Sequence, residues 1–365
     1  MRAWGTVRRF SAVPRTLAIN GKSYRLPPAT RPVVAICLDG TSQAYLDAAT
    51  QAGVMPCWSR IVSRFMGHTC SLGTAAMPTL SPNNGAGIVT GLPPKGHGIT
   101  GSRFYDRESG QEGAMTADHM RCDTILSKMS QEGVQVTLLA AHQGLLQLLA
   151  AGLDPERALT VSMQAGAEGL AQALQAHGVD LGALMAGRPV PAASDPQASL
   201  YLLEMGLRLL QSRDRSRPSI YYLSASDALQ HQHGPGSPEA QAFYSGFDAL
   251  LGQLDLEGAL VGVTAGHGMN EKHRVDRTPK VAFCEPALAE AGLEARVLLP
   301  IADEAGHRST LGAYATVYLQ HKEDIAKART VLRALPGVYQ VIGAEDAALA
   351  LQLPLDRFGA HNLHP

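Results

Sequence analysis

Four acidic and imidazole side chains of this 365-residue chain stand where apolar runs end. Asp39 follows the run 33–38, Asp227 and His231 follow the run 219–224, and His267 follows the run 260–265. Carboxylate and imidazole donors without thiolate suit zinc and also admit manganese or iron. Asp227 and His231 are four positions apart, so one helical turn presents both to a single ion. Such pairs are common on solvated helix faces; their coincidence with other run ends is what gives the spacing weight. A hydroxyl completes the set. Ser81, followed by Pro82, reads as a helix N-cap with proline at the first helical position. Two readings stay open: a plain cap, or a hydroxyl at the end of a helix that favours anions. Beside zinc, such a hydroxyl can lose its proton and attack phosphorus.

The elements that must position these groups are legible as alternating runs. Residues 33–38, 134–139, 219–224 and 260–265 read as strands buried on both faces. Residues 43–52, 122–131, 145–153, 200–211 and 239–254 read as helices. The alternation predicts an α/β fold, a doubly wound, mainly parallel sheet, whose ligands sit at the carboxyl ends of strands. After Asn270 the apolar runs 297–299, 314–318 and 338–342 alternate with helical patterns over 325–335 and 344–350, which predicts a smaller α+β cap. Between Tyr105 and Tyr201 no aromatic residue intervenes; this span reads as a helical region of small side chains or as tolerant periphery. The expected boundaries are an N-terminal extension over 1–18, the core over 19–270, the cap over 271–355 and a short tail over 356–365.

Composition removes several function classes. Apolar residues make up 45% and charged residues 17%, enough for a core and too little charge for global disorder. Thirty-one basic against 32 acidic residues argues against a nucleic-acid partner. No run approaches the ~20 apolar residues of a membrane helix. The basic N-terminus has the charge of a transit peptide but lacks the apolar core of a secretory signal. Five cysteines without a CxxC spacing read as reduced thiols in a cytoplasmic protein.

Four segments together resemble the alkaline phosphatase superfamily: LDG at 38–40, PTLSPNNGAGIVTGLPPKGHGITG at 78–101, SASDALQHQHGPG at 224–236 and TAGHGMN at 264–270. The TG-x-PP-x-x-HGI-x-G pattern is typical of its phosphodiesterase and nucleotide pyrophosphatase branch. NGKSYRLPPA at 20–29, RVLLPIAD at 296–303 and LGAYATVYL at 311–319 are similar to the phosphonoacetate hydrolases within it. The resemblance implies a two-zinc hydrolase cleaving the carbon–phosphorus bond of phosphonoacetate to acetate and phosphate. It implies Ser81 as nucleophile, Asp227 and His231 as ligands of one zinc, His267 as a ligand of the other, and Asp39 as the carboxylate ligand after the first strand. Asn84 and His142 are the candidate substrate-binding residues; for Asn84, contact with phosphonate oxygens and satisfaction of backbone groups are both open. The expected partner is a small phosphonate or phosphate ester.

The chain also departs from the resemblance. Gly266 stands where the family has an aspartate ligand, and Ser81 replaces a threonine. Residues 140–144 read AAHQG, without the two lysines the family uses to hold substrate. The family's last ligand histidine lies in a C-terminal return segment, and the surroundings of His361 and His364 do not match it. One zinc, two zincs or none therefore stay open. So do three functions: a carbon–phosphorus hydrolase, a catalytically impaired relative, and a phosphodiesterase of different substrate. If the last core strand is absent, an open sheet edge is expected to favour association, as in a homodimer.

Overall fold

The computed structural model describes residues 15–26, 31–63, 68–106, 109–299, 301 and 312–358. Residues 1–14 of the expected extension, and His307, Arg308, His361 and His364, lie outside the described residues. The chain divides into two compact units. One combines residues up to 74 with 122–269, and the other combines 75–121 with 270 onward. The segment 75–121, assigned from sequence to the core, thus belongs with the C-terminal part of the chain.

The first unit opens with a hairpin, β1 (Arg15–Ile19) and β2 (Lys22–Leu26). Its two-residue turn places Asn20 and Gly21 at φ 50° and 74°, the backbone an Asn-Gly hairpin turn needs. The expected start near Ile19 therefore falls inside a strand pair. A five-stranded sheet follows, made of β3 (Val33–Leu38), β6 (Gln135–Ala140), β7 (Ala158–Ser162), β8 (Ser219–Ala225) and β9 (Leu260–Thr264). Its order is β7-β6-β8-β3-β9, and all four pairings are parallel. Val33 is in register with both Ile220 and Leu260, so the ends of β3, β8 and β9 align. Strand β7 escaped the sequence reading because its short run ALTVS sits in the Ala/Leu-rich span.

Helices α1 (Gln43–Gln51), α2 (Pro56–Val62), α5 (Ile125–Gln131), α6 (Gln143–Leu149), α7 (Gly166–Gln175), α8 (Leu181–Leu184), α9 (Gln197–Gln211), α10 (Ala228–Gln232) and α11 (Pro238–Leu256) complete this unit. The core joins Ile36, Leu38 and Leu223 of the strands to Tyr201, Leu202, Tyr244 and Phe247 of α9 and α11. Gly206 lets α9 lie close on β8: a Cβ there would stand 2.7 Å from Leu223. Asp248, buried in α11, accepts the Cys57 and Trp58 amides at 2.9 and 2.7 Å, which satisfies the first turn of α2.

The second unit contains α3 (Ser81–Thr90), α4 (Pro94–His97), an antiparallel pair β4 (Arg103–Asp106) and β5 (Gln111–Ala114), α12 (Cys284–Glu290), a second antiparallel pair β10 (Ala295–Leu298) and β11 (Thr316–Leu319), α13 (Ile325–Ala334) and α14 (Ala344–Ala350). Two small cores form, one around Leu288, Leu293 and Leu332 and one around Ala347, Leu353 and Phe358. The expected strand over 338–342 does not form. Val341 packs on the first of these cores and Ile342 on the second, so the run is a connector that fills both without a pairing strand. Among the described residues no helix is long and apolar enough to cross a membrane.

Candidate functional site

The carboxyl ends of β3, β8 and β9 bring three predicted donors together. Asp39, the residue after β3, is 3% exposed. His267 Nε2 lies 3.4 Å from Asp39 Oδ1 and 3.9 Å from Asp227 Oδ2. His231 Nε2 lies 3.1 Å from Asp227 Oδ2, as the four-residue spacing on α10 predicts. Burial acts to raise the Asp227 carboxyl pKa. The His231 hydrogen bond and the nearby charges of His231, His267 and His142 act against it, and the net effect is a lowered pKa. His142, just ahead of α6, thus reaches the site electrostatically.

His267 is oriented by its own neighbour. Its Nδ1 lies 2.9 Å from the Gly268 carbonyl; a carbonyl only accepts, so Nδ1 carries the proton. In the neutral ring the lone pair is then on Nε2, facing two carboxylates. An Nδ1–H held by a carbonyl is also the setting found in metal-binding histidines. As they stand the donors are paired with one another. Among the described residues no three His, Cys, Asp or Glu side chains form a group that could hold a metal ion. Gly266 contributes no donor. Burial and the Asp39 charge push the Cys37 thiol, on β3, above its ordinary range. Asp39, Asp227, His231 and His267 offer oxygen and nitrogen donors, the types that suit a divalent cation.

The surroundings of Asp227 are built from residues that sequence reasoning did not single out. Gly40 has φ 71°, a region that penalises a side chain, and a Cβ there would stand 2.6 Å from Asp227 Cβ and 3.2 Å from Gln230 Cβ. Its lack of a side chain is what allows the β3 turn to meet the start of α10. Behind it, Thr41 Oγ1 and Tyr244 Oη are 2.9 Å apart, and Gln230 Nε2 donates to both at 3.2 and 2.9 Å. Burial pushes the Tyr244 phenol up to about 12, so it stays protonated. His233 turns to Glu239, 3.5 Å away, and not to the donor cluster.

In the second unit, Leu80 occupies the N-cap of α3 without a side-chain cap bond. Ser81 therefore stands one position inside the helix and does not cap it, and Pro82 is at the second position. Asn84 is spent on backbone. Its Nδ2 donates to the carbonyls of Ala76, Pro78 and Leu80 at 3.0, 3.3 and 3.2 Å, and its Oδ1 accepts the Ala76 amide at 2.8 Å. The backbone-satisfying alternative is the arrangement found, and it fixes the loop leading to Ser81. Its neighbour Asn83 is fully buried, with neither amide atom hydrogen-bonded among the described residues. His97, also fully buried, accepts the Ile99 amide on Nδ1 at 3.2 Å, and burial pushes its pKa down to about 4.

Residues 33–353 match the type I phosphodiesterase / nucleotide pyrophosphatase family. The chain belongs to that family. Phosphonoacetate hydrolase from Sinorhizobium meliloti 1021, solved with phosphonoformate and with phosphonoacetate, is 37% identical, with a TM-score of 0.84 over 95% of this chain and 83% of that one. Murine ectonucleotide pyrophosphatase / phosphodiesterase 5 is 15% identical, with a TM-score of 0.53 over 90% of this chain and 77% of that one. Wild-type alkaline phosphatase PafA is 14% identical, with a TM-score of 0.54 over 90% and 84%. The last two share the fold alone. The expected α/β architecture of the alkaline phosphatase type and the family resemblance are thus both met, and the phosphodiesterase family is one of hydrolases.

Proposed function

We propose that the chain hydrolyses a small phosphonate, with phosphonoacetate the first candidate, to phosphate and the corresponding carboxylic acid. The observation that carries this reading is the 37% identity and TM-score of 0.84, over 95% of the chain, with a phosphonoacetate hydrolase solved with phosphonoacetate. Asp39, Asp227, His231 and His267 are the residues that would hold the metal, zinc by donor type. A bound zinc ion supplies Lewis acidity toward phosphonate oxygens and lowers the pKa of a neighbouring hydroxyl.

The reading assigns the nucleophile to Ser81. Its oxygen bonds to phosphorus, its proton goes to solvent, and the phosphorus–carbon bond breaks with the electron pair moving to carbon. The substrate carboxylate delocalises that pair, and a proton from water completes acetate. Water then cleaves the phosphoserine ester, which returns the hydroxyl and releases phosphate. Asn84 holds the loop that presents Ser81. His142, whose charge already acts on Asp227, is assigned to the substrate's second anionic group.

A second reading, a catalytically weak relative, is favoured by Gly266, which offers no donor where the family has one. Phosphate release from phosphonoacetate, and nitrophenol release from an aryl phosphodiester, test both with zinc-loaded protein. Phosphonoacetate turnover abolished in Ser81→Ala is the expected result. Hydrolysis of the diester alone overturns the substrate assignment, and turnover of neither selects the second reading.

A further inference from the structure

Arg357 ties together two turns that lie far earlier in the sequence of the second unit. Its Nη1 donates to the Gly98 carbonyl at 2.7 Å and also to the His119 carbonyl. Gly98 is the C-cap of α4, and His119 ends the helical turn Ala117–His119. Carbonyls at helix ends lack partners within their helix, so one guanidinium nitrogen supplies both. The approach is close: a Cβ on Gly98, whose φ is 84°, would stand 2.8 Å from Arg357 Nη1. The arginine is itself held from both sides. Phe358 is buried in the small core of Ala347 and Leu353, and Asp356 pairs with Arg121.

Two routes lead from this contact to Ser81, the first residue of α3. One runs through His97, which directly precedes Gly98. Its buried ring packs against the middle of α3, with Nε2 3.8 Å from where a Cβ on Gly87 would be. The other runs through the loop ahead of the helix. Arg357 and Phe358 line one small cavity with Pro78 and Thr100. The Pro78 carbonyl in turn accepts the Leu80 amide at 2.9 Å and Asn84 Nδ2 at 3.3 Å. One side chain thus borders both the body of α3 and its entry.

We propose that Arg357 is a positioning residue for Ser81: it fixes the turn at 97–98 and the loop at 76–80, and through them the aim of the Ser81 hydroxyl. This rests on the nucleophile role assigned to Ser81 above. Charge alone does not meet the need. Arginine carries several donors on a rigid plane, whereas lysine is a point charge on a flexible stem one bond shorter. A displacement of about 1 Å at a reacting group costs on the order of a hundredfold in rate.

The test uses the full chain. With zinc-loaded protein and phosphonoacetate, Arg357→Ala should lower kcat about tenfold to a hundredfold and leave KM little changed. Guanidinium ion, kept far below denaturing concentration, should enter the vacated space and restore part of the rate. Arg357→Lys should show a smaller loss, and it carries the test if Arg357→Ala does not fold. An unchanged kcat overturns the proposal, and so does a loss in Arg357→Ala that guanidinium does not relieve. A second readout needs no turnover. The thiol of Ser81→Cys stands at a helix N-terminus, which lowers a thiol pKa. Its alkylation by iodoacetamide is followed against pH by peptide mass spectrometry. Adding Arg357→Ala should slow the reaction and move its midpoint upward, and identical profiles overturn the proposal. If the unaltered chain leaves phosphonoacetate intact, the substrate reading fails and the thiol profile alone decides the role of Arg357.

Discussion

The donor cluster at the strand ends and the loop before Ser81 are built in opposite ways. Asp39, Asp227 and His267 meet because three parallel strands end in register, and each contact joins residues far apart in sequence. The loop is closed by Asn84 through four hydrogen bonds that span four to eight residues. The first arrangement depends on the sheet and on space, the second on one amide group. Substitutions near the first should act through packing, whereas substitutions in the second should act locally.

The sharpest attempt to break this contrast is Gly40→Ala. Its methyl would meet Asp227 Cβ at 2.6 Å in a backbone region that disfavours it. We expect a loss on the order of 3–5 kcal/mol in urea unfolding; an unchanged midpoint would show that the strand-end packing is soft.

Acid separates the two regions next. The His97 imidazole is lowered to about 4 against about 6.5 when unfolded. The folded form thus resists a proton that the unfolded chain accepts. Its contribution is full above about 6.5 and is lost as pH falls toward 4, a total of about 3 kcal/mol. Asp227 is also lowered, but its contribution is lost only below the ordinary carboxylate range. Softening of the Ser81 unit should therefore come first on acidification, and His97→Gln should remove that step. Hydrogen exchange followed by mass spectrometry at pH 7, 5.5 and 4.5 reads the order.

Asn84→Ala comes third. Leaving the Ala76 amide without its side-chain acceptor costs about 2 kcal/mol, and faster amide exchange should be confined to residues 76–84. Spread of that exchange into the strand-end segments would erase the distinction. The smallest effect is a control: Arg60→Ala removes an exposed 3.2 Å bridge to Asp255 and should cost less than about 1 kcal/mol.

The sequence disclosed the parts that periodicity and spacing encode. Apolar runs gave four of the five core strands, and run ends pointed to Asp39, Asp227, His231 and His267, which the fold brings near one another. What it withheld has no local signature. Gly40 against Asp227, and Thr41 with Gln230 and Tyr244, join residues that only the finished sheet brings together. The grouping of 75–121 with the C-terminal residues is of the same kind. Residues 338–342 misled because an apolar run reads alike whether it finds a pairing strand or fills two small cores. For Asn84 both roles were open, and its four backbone hydrogen bonds are seen only in the folded loop.

The short reach of the Asn84 bonds also bears on the order of events in time. Closing a loop of about ten residues takes on the order of 10–100 ns, whereas non-local strand pairings typically form in milliseconds to seconds. On a chain emerging from the ribosome, residues 76–84 are complete before Asp227 and His267 have been synthesised. The setting of Ser81 is thus the early event and the meeting of Asp39, Asp227 and His267 the late one. A newly made molecule should pass through an interval in which the loop before Ser81 is formed and the strand-end cluster is not.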